Sequence, residues 1–586
     1  MKKWAVARAS FTGGLESLTF ANPTVGLVIN GDANDDDIIT FTSLDTNFRA
    51  AITVNTQGGG TVADIINVNT AFNLGSGTSN GNVALTADTI NLGANINTDA
   101  SGTAGTATFN GTTRLTAATV TIDTDGTTAD GAILLNGTTT ADVAGRDLNL
   151  NAGSATVTIA AFDGSGGGFV NDVTITANAL QLAGGAIQLD GNGAGAADAG
   201  DFILNSSAGV AVNGNTSIDT EQGDDQAGGN IDLGTNSISA NAVDLGLSLD
   251  ASGSGTGGNI TFGTVSNLFN MSQFLAGFSA TTSSTGEISL DRDISTDVSV
   301  AVGTPGVLLA GRVEVGADVT IDTDSGAGVD VGGAIDLSAA TVFADGNNID
   351  LDLDTSATTT GGAVSLGTFD NTGGSGFLNT LDINTSASTP GTTTLNGGIQ
   401  LSDNGTATAS ALNFTGGGDV IVSTTLSLNL SSATKGTQAG SIDFGGSTIS
   451  ADNVTGFDLT INTSHTDATA GDDGSDGGNV GNLAAITRDG RERLRSVLIN
   501  MNAVDGTDAD GTLSFSGTTP IIETLASFGA ATNGIEILGN VTRSEERRVE
   551  QGCRSRWSPY QSKQNQTLTT CRLPTRDAML TRNDVA

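Results

Sequence analysis

The chain has 586 residues and a formal net charge of −41, with 83 glycines, 6 prolines and only 4% aromatic residues. A chain this acidic repels phosphate groups, which excludes DNA or RNA as a main partner and disfavours anionic membrane surfaces. High glycine with little proline and no three-residue period excludes collagen and proline-rich linkers, and no stretch is apolar enough to span a bilayer as a helix.

Residues 1–110 are predicted to be a degraded opening repeat. Here an acidic turn at residues 32–37 precedes the apolar residues Ile38 and Ile39, as in later turn-and-strand units. The start, Met1-Lys2-Lys3-Trp4, is basic, but no run of 7–15 apolar residues follows it, so it does not resemble a signal peptide. If the protein is exported, its export signal is expected to lie outside this chain.

Residues 111–542 are predicted to form the repeat array. Matching isoleucines recur at Ile133, Ile231, Ile335 and Ile442, and their sequence numbers differ by 98, 104 and 107. A shorter echo relates Ile231 to Ile260, whose sequence numbers differ by 29. A fixed internal period indicates an array of structural units rather than one globule.

Apolar and polar residues alternate within each unit, as in the segment Ile231-Asp-Leu233 and again in Ile260-Thr-Phe262. This period of two predicts strands with one buried face, and the glycine, asparagine and aspartate residues between them are typical of turns. We therefore predict an all-β fold, a right-handed parallel β-helix (solenoid) built from repeats of ~100 residues, with coils of about 20–25 residues. Tandem β-sandwich modules are the alternative.

Residues 543–586 form a basic non-repeat tail. They carry 9 lysine and arginine residues against 5 acidic ones, and both cysteines, Cys553 and Cys571, lie there. The tail is predicted to be either a genuine basic, disordered segment or the product of translation into sequencing-library adaptor, and we favour the artefact. We expect it to pack against nothing.

Two recurring motifs resemble those of bacterial filamentous-haemagglutinin-like, β-strand-repeat surface proteins. These are Ile-Asp-Thr before an acidic turn, at Ile122, Ile218 and Ile321, and the Leu-x-Leu-Asp-Ala-Ser-Gly run ending at Gly253. The resemblance covers about residues 29–542 and implies a very long secreted adhesin, of which this chain is an internal or truncated piece. Such proteins carry an N-terminal secretion domain or a C-terminal barrel, and neither is recognised here.

The only histidine, His465, lies in the sequence Thr-Ser-His-Thr-Asp. A Ser-His-Asp triad would need a positioned nucleophile and a carboxylate around it. We instead expect an exposed loop histidine. Paired carboxylates of a glycoside hydrolase carry little weight among 58 acidic residues in positions 1–542. No catalytic, cofactor-binding or metal-binding residue is therefore predicted.

Acidic turns are the candidates for calcium. They lie at residues 32–36, 472–476 and 508–511, and none completes a twelve-residue EF-hand. Their aspartates are expected mainly to accept hydrogen bonds from backbone N–H groups. The basic run from Arg488 to Arg495 is either a docking patch or, as we favour, a loop insertion.

These features predict a structural and adhesive stalk of a secreted or cell-surface bacterial protein, without catalytic activity and without a cofactor. The expected partner is a glycan or protein on a host or neighbouring cell, with no nucleic acid and no membrane insertion of this segment. The alternatives are a β-helix enzyme acting on polysaccharides and a calcium-responsive matrix or biofilm protein.

Overall fold

The computed structural model describes the greater part of the chain from residue 21 onward. The described residues are 21–31, 36–56, 63–75, 80–99, 102–164, 168–190, 199–222, 227–267, 274–297, 305–325, 331–370, 376–401, 409–432, 438–452, 456–465, 476–486, 494–503, 510–516, 521–522, 535–538, 540–543 and 571–572. They form strands and turns, and these ranges contain no helix.

The chain divides into two compact units. Unit 1 comprises Met1–Gln273 with Ala280–Glu287, and unit 2 comprises Phe274–Ser279 with Ile288–Ala586. This division reflects contacts between residues and does not test where the repeats begin and end. The predicted boundaries after residues 110 and 542 therefore stay predictions.

The strands of unit 1 are β1 Gly26–Asn30, β2 Ile38–Phe41, β3 Ala51–Asn55, β4 Ile65–Val68, β5 Phe72–Asn73, β6 Val83–Leu92, β7 Ile96–Asn97, β8 Ala107–Leu115, β9 Thr119–Asp123, β10 Ile133–Leu135, β11 Thr139–Ala141, β12 Arg146–Asn151, β13 Thr156–Ile159, β14 Val170–Leu182, β15 Gly185–Gln188, β16 Phe202–Val212, β17 Thr216–Asp219, β18 Ile231–Asp232, β19 Ile238–Ala240, β20 Gly246–Ala251 and β21 Ile260–Thr261. Two strands have residues in both units, β22 Gly277–Thr282 and β23 Glu287–Leu290.

The strands of unit 2 are β24 Ile294–Ser295, β25 Pro305–Val315, β26 Val319–Asp322, β27 Ala334–Ala344, β28 Ile349–Asp354, β29 Val364–Phe369, β30 Leu378–Asn384, β31 Thr393–Leu395, β32 Ile399–Gln400, β33 Ala411–Thr415, β34 Val420–Val422, β35 Leu426–Asn429, β36 Ser441–Asp443, β37 Thr448–Ala451, β38 Asp458–Asn462, β39 Val480–Leu483, β40 Ala485–Ile486, β41 Ser496–Asn500, β42 Thr512–Phe515, β43 Ile521–Ile522, β44 Ile535–Leu538, β45 Asn540–Arg543 and β46 Cys571–Arg572.

Neighbouring strands pair in parallel with strands one coil away in sequence, which confirms the predicted β-solenoid. The decisive strand is β18, where Ile231 pairs in parallel with Phe202 on one side and with Ile260 on the other. Each partner therefore lies 29 positions from Ile231 along the chain, which is the spacing of the short echo found in the sequence. The alternative of tandem β-sandwiches is wrong, because sandwich strands pair mostly antiparallel within a closed module. The handedness of the coil stays a prediction.

One coil consists of three strand segments, and many coils are longer than predicted. In unit 1, the two halves of β8 and then β9 pair in turn with β10, β11 and β12. The step between paired residues is 24 from Ile133 to Val157 and 38 from Ile442 to Val480. The expected coil of about 20–25 residues therefore holds for the shortest steps and is exceeded by the longer ones. The short echo in the sequence, which relates Ile231 to Ile260, therefore corresponds to one coil.

The long sequence repeat does not match a whole number of coils. Starting from Ile133, three coils lead through Val157 and Leu180 to Val210, and Ile231 lies two strands further on, in β18. The same count holds in unit 2. From Ile335, three coils lead through Val364 and Thr393 to Val420, and Ile442 lies two strands further, in β36. Residues at equivalent positions of the repeat therefore lie on different ladders.

The core lies inside the coil, where alternate side chains of every ladder stack. Eight side chains were predicted to be buried from the repeat, and all have 3% or less of their surface exposed: Ile231, Leu233, Ile260, Phe262, Ile335, Leu337, Val364 and Leu366. Burying one such side chain stabilises the fold by about 1.5–3 kcal/mol relative to exposure. Successive coils also stack aromatic rings, since the Phe414 and Phe444 centroids are 5.3 Å apart with nearly parallel planes.

Three residues of the predicted tail are described. Arg543 ends β45 and pairs in parallel with Phe515 of β42. Cys571–Arg572 forms β46, which pairs antiparallel with Glu536 and Ile537 of β44. The expectation that the tail packs against nothing therefore does not hold for these three residues. Most of segment 543–586 lies outside the described residues.

Candidate functional site: an acidic face of unit 2

The candidate site is a row of outward-facing carboxylates on three successive strands of unit 2, which we call the acidic face. Its members are Asp322 of β26, Asp350, Asp352 and Asp354 of β28, and Asp382 of β30. Apolar residues alternate with them and point inward, as Leu351 and Leu353 do. The alternation that builds the core therefore also places the carboxylates on the outer side of the sheet.

Parallel registration brings these carboxylates next to one another. Asp322 pairs with Asp354, and Asp352 pairs with Asp382. Like charges directly opposite each other in a sheet are destabilising. This row therefore needs compensation from its surroundings.

Amides on the following coil supply part of that compensation. The Asn384 side chain donates to Asp354 Oδ2 at 3.2 Å, and the Asn379 side chain donates to Asp350 Oδ1 at 2.9 Å. Asn413 donates to Asp382 Oδ1 at 2.6 Å. Each of these three carboxylates thus accepts a side-chain hydrogen bond from the next coil.

Asp352 is in a different electrostatic position. Burial raises the pKa of its carboxyl above the usual 3.8, and the negative charge of Asp382 raises that pKa further. A hydrogen bond between the two carboxyl groups acts in the same direction, as do the charges of Asp350 and Asp318. The proton on Asp352 is therefore held more tightly than on an isolated aspartate.

Two open grooves run along this face. The first has a volume of about 570 Å³ and is lined by Asp322, Asp324, Asp354, Ser356, Ala357, Thr358, Ser386, Ala387 and Ser388. The second has a volume of about 520 Å³ and is lined by Thr320, Asp352, Leu353, Asp354, Asp382, Ile383, Asn384, Asn413, Phe414, Thr415, Gly416, Asp443 and Gly445. None of the lining residues is basic. The grooves therefore suit a ligand that donates hydrogen bonds or carries positive charge, and they disfavour an anionic one.

His465 is placed differently from the prediction. Its side chain has 0% of its surface exposed, so the expectation of an exposed loop histidine is wrong. The residue forms parallel bridges with Ser432 and Ala503, which lie on the neighbouring coils and cover it. The adjacent Ser464 hydroxyl donates to Asn462 Oδ1 at 2.7 Å and is not directed at the histidine.

The predicted calcium turns lie mostly outside the described residues. Only Asp36, Asp476, Asp510 and Gly511 of those three turns are described. Asp510 accepts a hydrogen bond from the Ala503 N–H at 3.0 Å, as expected for an aspartate that serves the backbone. Within the described ranges, no group of three or more His, Cys, Asp or Glu residues is arranged to hold a metal ion.

The basic run is described only at Leu494 and Arg495. Arg495 Nε donates to Asp458 Oδ1 at 2.8 Å, and Nη2 pairs with Oδ2. This hydrogen bond lowers the pKa of Asp458 below its usual value. Arg495 therefore joins two neighbouring coils, and the remainder of the predicted docking patch lies outside the described residues.

Sequence reasoning missed the facing carboxylates of Asp352 and Asp382. They lie one coil apart along the chain, and only knowledge of the local coil length would have placed them side by side. A search of the described residues for an apolar helix of membrane-spanning length finds none. Comparison with protein-family models, with curated proteins and with solved structures gives no match.

Proposed function

We propose that this chain is a non-catalytic structural and adhesive stalk of a secreted or cell-surface bacterial protein of the filamentous-haemagglutinin-like kind. The observation that supports it best is the acidic face, where the carboxylates of Asp352, Asp354 and Asp382 line an open groove on a regular sheet. A solenoid offers such extended surfaces to large partners. The partner would be a glycan or protein on a host or neighbouring cell.

The chemistry of the grooves favours a hydroxyl-rich ligand. Sugar hydroxyls donate to carboxylates, and the side-chain amides of Asn384 and Asn413 add donors and acceptors beside them. The groove is shallow and open, so binding to a single sugar would be weak. Repeated weak contacts along a chain of sugars would add up through multivalency.

The proposal is tested by binding of the full chain, coupled to beads, to a panel of neutral glycans and to intact cells. The variant Asp352→Asn/Asp382→Asn removes two charges from the groove while keeping side-chain size. We expect it to weaken binding at least about tenfold. The control Asp232→Asn/Asp244→Asn removes two charges elsewhere, and it should bind as the unchanged protein does. Equal binding by both variants would reject the acidic face as the adhesive surface.

A polysaccharide-active enzyme is the second candidate, and the facing Asp352 and Asp382 carboxyl groups favour it specifically. Glycoside hydrolysis requires two carboxyl groups, and the raised pKa of Asp352 suits the one that acts as general acid. The test is release of reducing ends from a polysaccharide panel. Release that disappears in Asp352→Asn would replace the adhesive proposal with this one.

The calcium-responsive alternative is tested on the same beads. Addition of a chelator should leave binding unchanged if the stalk acts without metal. Loss of binding with chelator and recovery with added Ca²⁺ would instead favour the matrix or biofilm role.

A further inference from the structure

A buried threonine closes a corner loop at six places in the described chain, in an arrangement that we call the threonine clamp. The hydroxyl donates to the carbonyl oxygen of a glycine that lies one or two residues before the next strand. All six threonines have 0% of their surface exposed. The pairs are Thr98–Gly105, Thr124–Gly131, Thr220–Gly229, Thr323–Gly333, Thr355–Gly362 and Thr463–Gly478.

In five of the six clamps, a second hydrogen bond runs back from the glycine N–H to the threonine carbonyl oxygen. The Gly131 N–H donates to the Thr124 carbonyl at 2.8 Å, and the Gly362 N–H donates to the Thr355 carbonyl at 2.9 Å. Gly478 and Thr463 repeat the contact at 2.7 Å. Two bonds between the same two residues hold both ends of the loop at one separation.

The glycine is required because the clamps stack. A Cβ atom on Gly362 would lie 1.9 Å from the carbonyl oxygen of Gly333, the clamp glycine of the preceding coil. Gly391 would meet Gly362 in the same way at 1.8 Å. Backbone cannot yield easily at such distances, so each clamp is held in place by its neighbours above and below.

Loop length varies while the closure does not. Gly362 follows Thr355 by 7 positions and Gly478 follows Thr463 by 15, yet the hydroxyl-to-carbonyl distance is 2.8 Å in both. Closing a longer loop costs only about 0.6 kcal/mol per doubling of its length. The ladders on either side of the clamp therefore need not change when the loop grows.

An unclamped corner in the same coil is built differently. Between β10 and β11, a Cβ on Gly137 would lie 2.2 Å from the Gly111 carbonyl oxygen, so the chain passes directly against the coil before it. The clamp glycine Gly131 meets the Gly105 carbonyl oxygen just as closely, at 2.0 Å, so contact with the preceding coil does not distinguish the two corners. The clamped corner differs in the Thr124 hydroxyl, which holds the two ends of its loop together. We therefore expect the clamped corner to accept additional residues with less disturbance of its strands.

We propose that the threonine-clamped corners are display positions, at which the solenoid carries additional polypeptide on its surface without disturbing its ladders. Segments placed there would be the parts of the chain that vary in length and meet a protein or glycan partner. The proposal rests on the clamp geometry and does not depend on the acidic face as the adhesive surface.

The test inserts a flexible epitope of about twelve residues into the full-length protein. One insertion lies between Thr127 and Thr128, both exposed residues of the loop closed by Thr124. The matched insertion lies between Gly137 and Thr138. We expect the first to bind an antibody to the epitope, to shift the melting temperature by less than about 2 °C and to preserve hydrogen-exchange protection of β10 and β12. The second should lower the melting temperature by more than about 5 °C and abolish that protection.

A second pair of variants links the tolerance to the clamp itself. Thr124→Val removes the hydroxyl and keeps the shape, whereas Thr124→Ser keeps the hydroxyl. In the background of the first insertion, we expect the valine variant to lose protection of β10 and the serine variant to retain it. Equal effects of the two insertions, or equal protection in the valine and serine variants, would overturn the proposal.

Discussion

Ile231 shows what single positions contribute to this fold. Its side chain is fully buried and lies between Phe202 and Ile260 of the two neighbouring coils. The alternation of residues 231–233 sufficed to predict this, because a period of two places every second side chain on one face. By contrast, His465 was predicted to be exposed but is buried. The residues that it bridges, Ser432 and Ala503, belong to the coils before and after it. Local sequence does not reveal contacts at that range.

The first prediction concerns Ile231→Asp. An unpaired carboxylate would enter the core, so we expect destabilisation of at least about 3 kcal/mol, measured by urea unfolding of the full chain. The control Thr235→Asp places the same charge in an exposed turn and should cost less than about 0.5 kcal/mol. Similar effects of the two substitutions would contradict the assignment of faces.

The second prediction concerns the pH dependence of Asp352. Its raised pKa means that the folded protein binds this proton more tightly than the unfolded chain does. Its contribution to stability is therefore present below pH 3.8 and is lost as the pH rises through the folded-state pKa. Asp352→Asn should raise the melting temperature by about 1–2 °C at pH 7 and by nothing at pH 3, a small effect because the group is partly exposed to solvent.

Asp458 serves as the control of opposite sign. Hydrogen bonding from Arg495 lowers its pKa, so its contribution is present above pH 3.8 and is lost as the pH falls through the folded-state pKa. Asp458→Asn should therefore lower the melting temperature at pH 7 and have little effect at pH 2. Shifts of the same sign for both variants at pH 7 would contradict this electrostatic account.

At the scale of the strand, what counts is the partner one coil away. The repeat in the sequence correctly indicated parallel strands and buried faces, but it did not reveal which strands are neighbours. That depends on the length of each corner loop, which changes the step from 24 after Ile133 to 38 after Ile442. For the same reason the pairing of Asp352 with Asp382 and of Arg495 with Asp458 could not be read from spacing.

The third prediction tests stacking between successive coils. The rings of Phe414 in β33 and Phe444 after β36 lie with an interplanar angle of 8°. In a double-mutant cycle of Phe414→Ala and Phe444→Ala, we expect a coupling energy of about 0.5–1.5 kcal/mol from denaturant unfolding. Phe414→Ala combined with Phe202→Ala, which lies in the other unit, should be additive within about 0.5 kcal/mol. Coupling in the second pair and none in the first would be the contradictory result.

At the scale of the whole molecule, two properties follow from composition and fold together. The described residues contain strands and turns without a helix, and the full sequence carries a net charge of −41. Both were apparent from the sequence, because sustained alternation and an excess of aspartate need no knowledge of the neighbours of each strand.

The fourth prediction is that salt stabilises the full chain. Raising NaCl from about 20 mM to about 500 mM shortens the Debye length severalfold and screens the repulsion among the carboxylates. We expect the melting temperature, measured by far-ultraviolet circular dichroism, to rise by several degrees. The spectrum should be of the strand type at both salt concentrations. Sucrose at matched osmolality controls for general solute effects. A fall in melting temperature with salt would show that attractive ion pairs outweigh repulsion.

The long repeat advances by three coils and two strands, and this has a consequence for how such a gene can grow. A duplicated block begins on a different side of the coil from its parent. The two copies therefore pack against different neighbouring strands from the moment of duplication. Because Ile133 and Ile231 are both fully buried despite lying on different ladders, at least two sides of the coil accept the same pattern. Unequal crossing-over therefore need not conserve the rotational phase of the coil when it moves a block between these two sides.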